Sequence, residues 1–485
     1  MINYKLICKI IGSLLIIEST MMLWSLVVSL IYHEDDIFAF FSSIILAILA
    51  GITLRFIGHH ASNNLGRRDA YLVVTLVWII FSAVGTLPFL IGGYGNLTFT
   101  DAFFEMMSGF TTTGATVIDN VESLPHGILF WRSSTHWIGG IGIAIFTLAM
   151  LPSLVGGSMK VFAAESTGPI KTKLHPRLSS SARSLWIIYL ILTLSCIFCY
   201  YLAGMNFFDS INYAMASTAT GGFSTHNNSV LYFHSPTIEY TVTFFCFLSS
   251  INLSLYLPFA KLHFKQLFCS SEFRFFSSVV AIATITIAVL LISKNNYGIE
   301  HAFRSSVFEV VTIISTTGFF NDDAAKWPHI TWVILALCMF IGGMAGSTAG
   351  GFKCIRANMV LKITRNEFKK IIHPKAVLPL KIDGVNIPMD NRVTLLAFLS
   401  IYVILIIVSS FSIIVSGVNS TDAITIALSS MGNVGPALGS EIGPTISWMS
   451  LPWFDKWICS FLMLVGRLEI FTVLVIFTPA FWKKV

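Results

Sequence analysis

At 485 residues, 55% hydrophobic and only 11% charged, the chain falls far below the ~25% charge of an ordinary soluble domain. Its mean hydropathy is +0.78 and it holds 41 phenylalanines, an apolar surface that so few charges cannot cover in water, which excludes a soluble protein. The net charge of +6 is therefore a matter of loop topology across a membrane and not a nucleic-acid signal.

The first nine residues are weakly basic, and 10–32 are apolar apart from Glu18. That run is long for a signal-peptide core and lacks a small-residue cleavage site, so it reads as a retained span. A second span over 37–57 follows the acidic turn His33-Glu34-Asp35-Asp36. A unit of long helix, short helix, loop and long helix then runs four times. Its first long helices are expected near 70–92, 185–203, 279–293 and 393–416, its second near 131–154, 239–260, 330–361 and 457–481. The short segments between them start near Asp101, Asp209, Ser305 and Thr421 or Asp422. At about ten residues they cannot cross ~30 Å of hydrocarbon. They must re-enter the membrane and be buried in protein, because unpaired backbone cannot face lipid.

The predicted fold is an all-α polytopic membrane protein. Two extra N-terminal helices (1–60) precede repeats at 68–156, 183–262, 273–363 and 390–485, giving ten spans and four re-entrant half-helices. Arg55, Arg67 and Arg68 share one inter-span loop; Lys160, Lys171, Lys173, Arg177 and Arg183 a second; Lys261, Lys265 and Arg274 a third. A basic stretch runs from Lys353 to Arg392, and Lys483 and Lys484 end the chain. Alternating helices put all of these on one side, which the positive-inside rule makes cytoplasmic, with both termini inside and the half-helices entering from outside.

Each short helix leads into a related loop. The first is Thr111-Thr112-Thr113-Gly114-Ala115-Thr116, and the others are Thr218-Ala219-Thr220-Gly221-Gly222, Ser315-Thr316-Thr317-Gly318 and Asn433-Val434-Gly435-Pro436. Their glycines, Gly114, Gly221, Gly318 and Gly435, recur roughly every 100 residues, the mark of an internal repeat. A glycine takes positive φ freely and lets neighbouring carbonyls turn the same way. Four such loops on a pseudo-fourfold axis would stack carbonyl rings that replace the water of an ion, the device of the potassium-channel filter. The candidate ion-binding residues are thus Thr112, Thr113, Gly114, Ala219, Thr220, Gly221, Thr316, Thr317, Gly318, Asn433, Val434 and Gly435. Helix C-termini aimed at the loops favour a cation. Asp119, Glu122, Asp322, Asp323 and Glu441 follow the loops closely; they either concentrate cations in an outer vestibule or are solvated loop residues. Repeat two offers His226 there instead.

The segment 342–351 carries five glycines, Gly342, Gly343, Gly346, Gly350 and Gly351. Each weakens a helix by up to ~1 kcal/mol relative to alanine. The run reads as an irregular loop lining a cavity, against the alternative of close helix packing through Gly342, Gly346 and Gly350. Cys196 and Cys199 form a CxxC without a second pair or a nearby histidine, and read as small apolar residues of a helix. No P-loop, HExxH or Rossmann fingerprint occurs, so no enzyme or cofactor is expected, and nucleotide control would have to come from another polypeptide.

With Trp131-Arg132, His136-Trp137-Ile138-Gly139-Gly140-Ile141-Gly142 and Gly466-Arg467-Leu468-Glu469 beside these loops, the chain resembles the Trk/Ktr/HKT superfamily of cation transporters, and within it the TrkH-like potassium-uptake subunits. The two extra N-terminal spans favour that branch. The resemblance covers essentially the whole chain. It implies potassium uptake across the bacterial inner membrane, with K⁺ as the transported ion. Gly114 stands where a serine accompanies sodium transport in the family. It implies that 342–351 is an intramembrane loop gating the pore, and that the subunits are homodimers on a cytosolic TrkA-like ring of nucleotide-binding domains. The basic stretch from Lys353 to Arg392 is then a docking surface for that ring or for anionic lipid. Arg467, near the middle of the last expected span, needs an interior partner. Candidates are carbonyls of 342–351 or the carboxylates Glu105 and Glu309, with Glu469 facing elsewhere on the helix. Arg467 reads as a positive barrier in the permeation path, against the alternative of a purely structural ion pair; Lys353 either acts similarly or snorkels to the cytoplasm. A secondary transporter of a small organic solute built on broken helices is the alternative, which an inverted repeat would mark.

Overall fold

The computed structural model describes residues 2–61, 65–142, 178–257, 265–439 and 441–483. It is helical almost throughout; among the described residues the only strands are the two-residue pair Lys381–Ile382 and Val385–Asn386. Helices Tyr4–Tyr32 and Ile37–Ile57 form an N-terminal hairpin in which Gly12 and Gly51 face one another, so the two backbones approach closely. Glu34 pins this hairpin to the first repeat, accepting from His126 Nδ1 at 2.7 Å, while Tyr32 stacks on the same imidazole at 3.9 Å.

The first helices of the four repeats are Arg67–Gly85 with its continuation Leu87–Gly92, Leu178–Ala203, Ser271–Asn295 and Met389–Val415. Together with the N-terminal pair they supply six helices long and apolar enough to cross a membrane among the described residues. The short helices are Phe99–Phe110, Phe207–Ala219, Ile299–Ile314 and Ser420–Gly432. Three begin at a side-chain cap: Thr98 accepts from Asp101 N, Asn206 from Asp209 N and Asn419 from Thr421 N. The third helix starts a turn earlier, so Ser305 is a buried interior residue and Glu300 is the first-turn acid.

The second helices differ from the sequence expectation. They are His126–Ile141, Pro236–Ser249, His329–Ile341 and Trp453–Arg467, of 16, 14, 13 and 15 residues. At 1.5 Å per residue each measures about 20–24 Å, short of the ~30 Å hydrocarbon core. Sequence reading breaks only the third. In the fourth, the expected continuous span 457–481 bends by 116° between Trp453–Arg467 and Ile470–Phe477, with Glu469 at φ 65° in the elbow. In the second, the chain leaves the helix at Ser250 and makes a 3-10 turn at Leu253–Leu255. The expected continuations to Leu154 and Ala260, and Lys160, Lys171, Lys173, Arg177, Lys261 and Lys484, lie outside the described residues. The third break is the irregular segment 342–353, with Gly342, Gly346, Gly351 and Lys353 all at positive φ, which rules out helix-on-helix packing through its glycines. Cys196 is buried and Cys199 half-buried, both as free thiols, and no group of metal-ligating side chains occurs among the described residues.

Candidate functional site

The four short helices end in the same way. Thr112 N donates to Gly109 O at 3.0 Å and Thr113 N to Ser108 O at 2.9 Å. The pattern recurs from Thr220 and Gly221 to Ser217 and Ala216, from Thr316 and Thr317 to Ile313 and Thr312, and from Asn433 and Val434 to Ser430 and Ser429. These are Schellman closures, which require a left-handed residue just past the helix. Thr112, Thr220, Thr316 and Asn433 supply it at φ 54°, 55°, 58° and 54°. Threonine is β-branched and resists this conformation at a cost of order 1–3 kcal/mol, so three such residues are backbone strain held in place by the surrounding protein.

Two residues on stand the glycines, and here the structure corrects a register. Gly114, Gly318 and Gly435 have positive φ, but the fourth glycine of this kind is Gly222, not Gly221. Ala219 ends its helix, and Thr220-Gly221-Gly222 aligns with Thr112-Thr113-Gly114. With that register the loops close into a ring. A methyl group on Gly114 would overlap the carbonyl oxygen of Gly221; one on Gly222 would overlap that of Thr317; one on Gly318 would overlap that of Val434; and one on Gly435 would lie 2.6 Å from that of Thr113. Each repeat thus leans its glycine on a carbonyl of the next, and the fourth leans on the first. Thr112, Thr113, Thr220, Thr316, Thr317 and Asn433 are fully buried.

Groups behind the ring hold it. Glu105 accepts from Arg132 Nε at 2.9 Å, from the Thr116 hydroxyl at 3.0 Å and from Val117 N at 3.0 Å, fixing the segment after Gly114. The Arg132 guanidinium reaches Ser224 O at 3.1 Å and covers the Phe223 ring at 4.1 Å, tying the first loop to the second. His136, quoted above only as part of a motif, joins the same loops. Its Nδ1 meets Gly109 O at 2.7 Å and its Nε2 accepts from Phe223 N at 3.1 Å, so the neighbours place the proton on Nδ1. We expect His136→Ala to leave Phe223 N buried and unpaired while Gly109 O keeps its bond from Thr112 N, at about 1–3 kcal/mol; a melting curve of the purified protein should show the loss, and His136→Gln should recover part of it.

On the other face of the loops, Asp209 accepts from Thr225 Oγ1 at 2.6 Å, and Asp422 accepts from Glu441 N at 3.0 Å and Ile442 N at 2.9 Å. Asp101 takes Lys456 Nζ at 2.7 Å, a buried pair between repeats one and four. The acidic residues after the loops have local partners: Asp119 takes Ser447 Oγ, Glu122 faces His226 at 3.4 Å, Asp322 takes Trp327 Nε1 at 3.3 Å and Asp323 pairs with Lys326 at 3.2 Å. Glu441 is exposed.

The segment 342–353 packs under the ring and is tied both to it and to other parts of the chain. Met344 N donates to Ser250 O at 3.1 Å, Leu253 N to Gly346 O at 3.0 Å, and Thr348 Oγ1 to Ser249 O at 3.1 Å. Glu272 Oε1 accepts from Ala345 N at 2.7 Å. Arg467, now the last residue of its helix, donates to Thr348 O at 2.8 Å and to Gly139 O and Gly140 O at 2.5 and 2.8 Å. A loop carbonyl is therefore its partner, as one alternative held, together with the carbonyl end of His126–Ile141, whose dipole is negative there. Glu105 and Glu309 are engaged elsewhere, with Arg132 and with Asn321 N. Lys353 is buried and donates to Ala349 O; it does not snorkel. Glu469 takes Arg356, with Nη2 at 2.5–2.6 Å from both carboxylate oxygens.

A family model described as TrkH, cation transport protein, matches residues 36–484. The Trk system potassium uptake protein TrkH of Escherichia coli K12 is 38% identical, over 99% of this chain and all of that protein. The protein of the same name from Vibrio parahaemolyticus is 36% identical, again over 99% of this chain and all of its own length. The crystal structure of the potassium transporter TrkH from Vibrio parahaemolyticus superposes with a TM-score of 0.89 at 34% identity, covering 99% of this chain and 100% of that one. This polytopic membrane protein belongs to the TrkH family of cation transport proteins.

Proposed function

We propose that the chain takes up potassium across the bacterial inner membrane, with one conduction path through its own four-loop ring. The closed relay of glycines and carbonyls carries this reading. Four backbones at that separation leave no room for side chains between neighbours, so what they offer a dehydrated cation is carbonyl oxygen. In this reading Thr112–Gly114, Thr220–Gly222, Thr316–Gly318 and Asn433–Gly435 form the filter, in the register of the ring. The segment 342–351 and Arg467 form the barrier beneath it, where a fixed positive charge on the ion's route opposes a cation.

In this reading the filter mouth faces outside and both termini lie in the cytoplasm, which the positive-inside pattern of the basic inter-span loops supports. The relatives are named as parts of a Trk system, which supports a separate regulatory partner; a homodimer seated on a cytosolic TrkA-like ring of nucleotide-binding domains is the assembly we infer. The organic-solute alternative has no support among these relatives.

The test is ⁸⁶Rb⁺ flux into liposomes holding the full chain, with and without a sodium or proton gradient. Flux down the potassium gradient, indifferent to the other ions, is the expected result for a gated conductive path. Flux that requires the second gradient would keep the ion and replace the mechanism by coupled transport. No cation flux, even with the regulatory partner present, would overturn the reading.

A further inference from the structure

The fourfold plan of the ring is broken at one kind of position. Thr112, Thr220, Thr316 and Asn433 share the same backbone conformation, yet each side chain is used differently. The Thr112 hydroxyl is buried without a hydrogen-bond partner. That of Thr220 turns onto the carbonyl of Ala219 at 2.6 Å. Asn433 Nδ2 reaches Thr113 Oγ1 at 3.0 Å and Met463 O at 2.9 Å. Thr316 is the one of the four that meets the intramembrane segment: its hydroxyl accepts from Gly350 N at 2.7 Å.

Gly350 is also the point of closest approach between that segment and the ring. A methyl group there would overlap the carbonyl of Gly432 and lie 3.0 Å from Asn433 Cβ. The residue is therefore wedged where the ring segments of repeats three and four begin, and bonded to the first of them.

We propose that Thr316 is the positioning residue that couples ring and barrier, its hydroxyl holding the intramembrane segment closed through Gly350 N. This rests on reading the ring as the conduction path and 342–351 as the barrier. With the segment in place, Gly350 N–H is buried and Thr316 is the acceptor that satisfies it. Once the segment moves away, water can satisfy the same group. Removing the hydroxyl therefore destabilises the closed state and leaves the open state alone. The coupling is reciprocal: whatever reshapes the ring at Thr316 shifts the segment by the same factor.

Thr316→Val keeps the shape and the branched Cβ and removes only the acceptor; Thr316→Ala removes it by another route, and Thr316→Ser keeps it. Thr112→Val makes the same deletion at the equivalent position that holds no tether. The measurement is single-channel recording of the full chain in planar bilayers. Thr316→Val and Thr316→Ala should raise open probability roughly fivefold relative to Thr112→Val, which carries whatever the loss of a buried ring hydroxyl does by itself, with unitary current in Thr316→Val matching Thr112→Val. Thr316→Ser, which keeps the acceptor, should bring open probability back toward the native value.

The proposal falls if Thr316→Val and Thr112→Val shift open probability alike, if neither Thr316→Val nor Thr316→Ala raises it, or if Thr316→Ser behaves as they do. Gly114→Ser, recorded alongside, separates the two levels. Unchanged K⁺ over Na⁺ preference in that variant would bring down the ring reading itself; a changed preference with native open probability in Thr316→Val would bring down the tether alone.

Discussion

Gly114→Ser is expected to collapse most of the preference for K⁺ over Na⁺. Two effects act together. The native φ is +85°, a conformation that a residue with a Cβ resists, and the new Cβ would overlap the carbonyl oxygen of Gly221. The ring has to widen or twist at that corner. Strain of order 1–3 kcal/mol, spread onto the carbonyls that the proposed filter offers in place of ion hydration, corresponds to about 5–150-fold in relative binding. The check is the reversal potential of liposome-reconstituted protein under bi-ionic K⁺/Na⁺ conditions. An unchanged potential would place ion discrimination away from this ring. Gly222→Ala should act in the same direction, since Gly222 meets the Thr317 carbonyl in the same manner and also has positive φ.

Arg467→Ala should raise passive cation flux. The side chain donates to one carbonyl of the intramembrane segment and to two carbonyls at the end of His126–Ile141, so its loss frees the segment and removes a positive charge at once. A hydrogen bond from a charged donor contributes about 1.5–3 kcal/mol; losing the one to Thr348 O corresponds to a rise of roughly 10–150-fold in the open population. Shortening 342–351 should act in the same direction by removing the proposed barrier. ⁸⁶Rb⁺ uptake in the two variants reads both effects, and native flux in each would assign Arg467 and the segment to packing alone.

The repeat was legible because its requirements are local. A short apolar helix, a polar cap such as Thr98 or Asn206, and a glycine that must take positive φ all leave marks in the residue string. The one-residue slip in repeat two has an equally local cause: Gly221 and Gly222 are adjacent and a threonine precedes both, so two alignments fit. What selects between them is the left-handed turn at Thr220 and the carbonyl of the next repeat against Gly222, and the second of these is a contact across 95 residues of chain. The breaks in the second and fourth second-helices were not legible. Their apolar runs continue past Ser249 and Arg467, and the stops come from non-glycine elements, Asn252 capping a 3-10 turn and Glu469 in a left-handed conformation held by Arg356. Nor does any local signal connect Arg467 with Gly139 and Gly140, which meet only because repeats one and four are neighbours around the ring.

The relay of glycines and carbonyls has a consequence for how change accumulates. Because every corner is the wall of the one before it, energy put in at Gly114 can be relieved by displacement at Gly221, Thr317 or Val434, and damage at two corners should sum to less than its parts. Double-mutant cycles between Gly114 and Gly435 should therefore show coupling of order 0.5–3 kcal/mol, as contacting residues do. The side chains behind the ring already differ from repeat to repeat, threonine here and valine or asparagine there. The four loops are thus free to diverge in composition while their main chains drift only in concert, four unlike sequences bound to one shared outline.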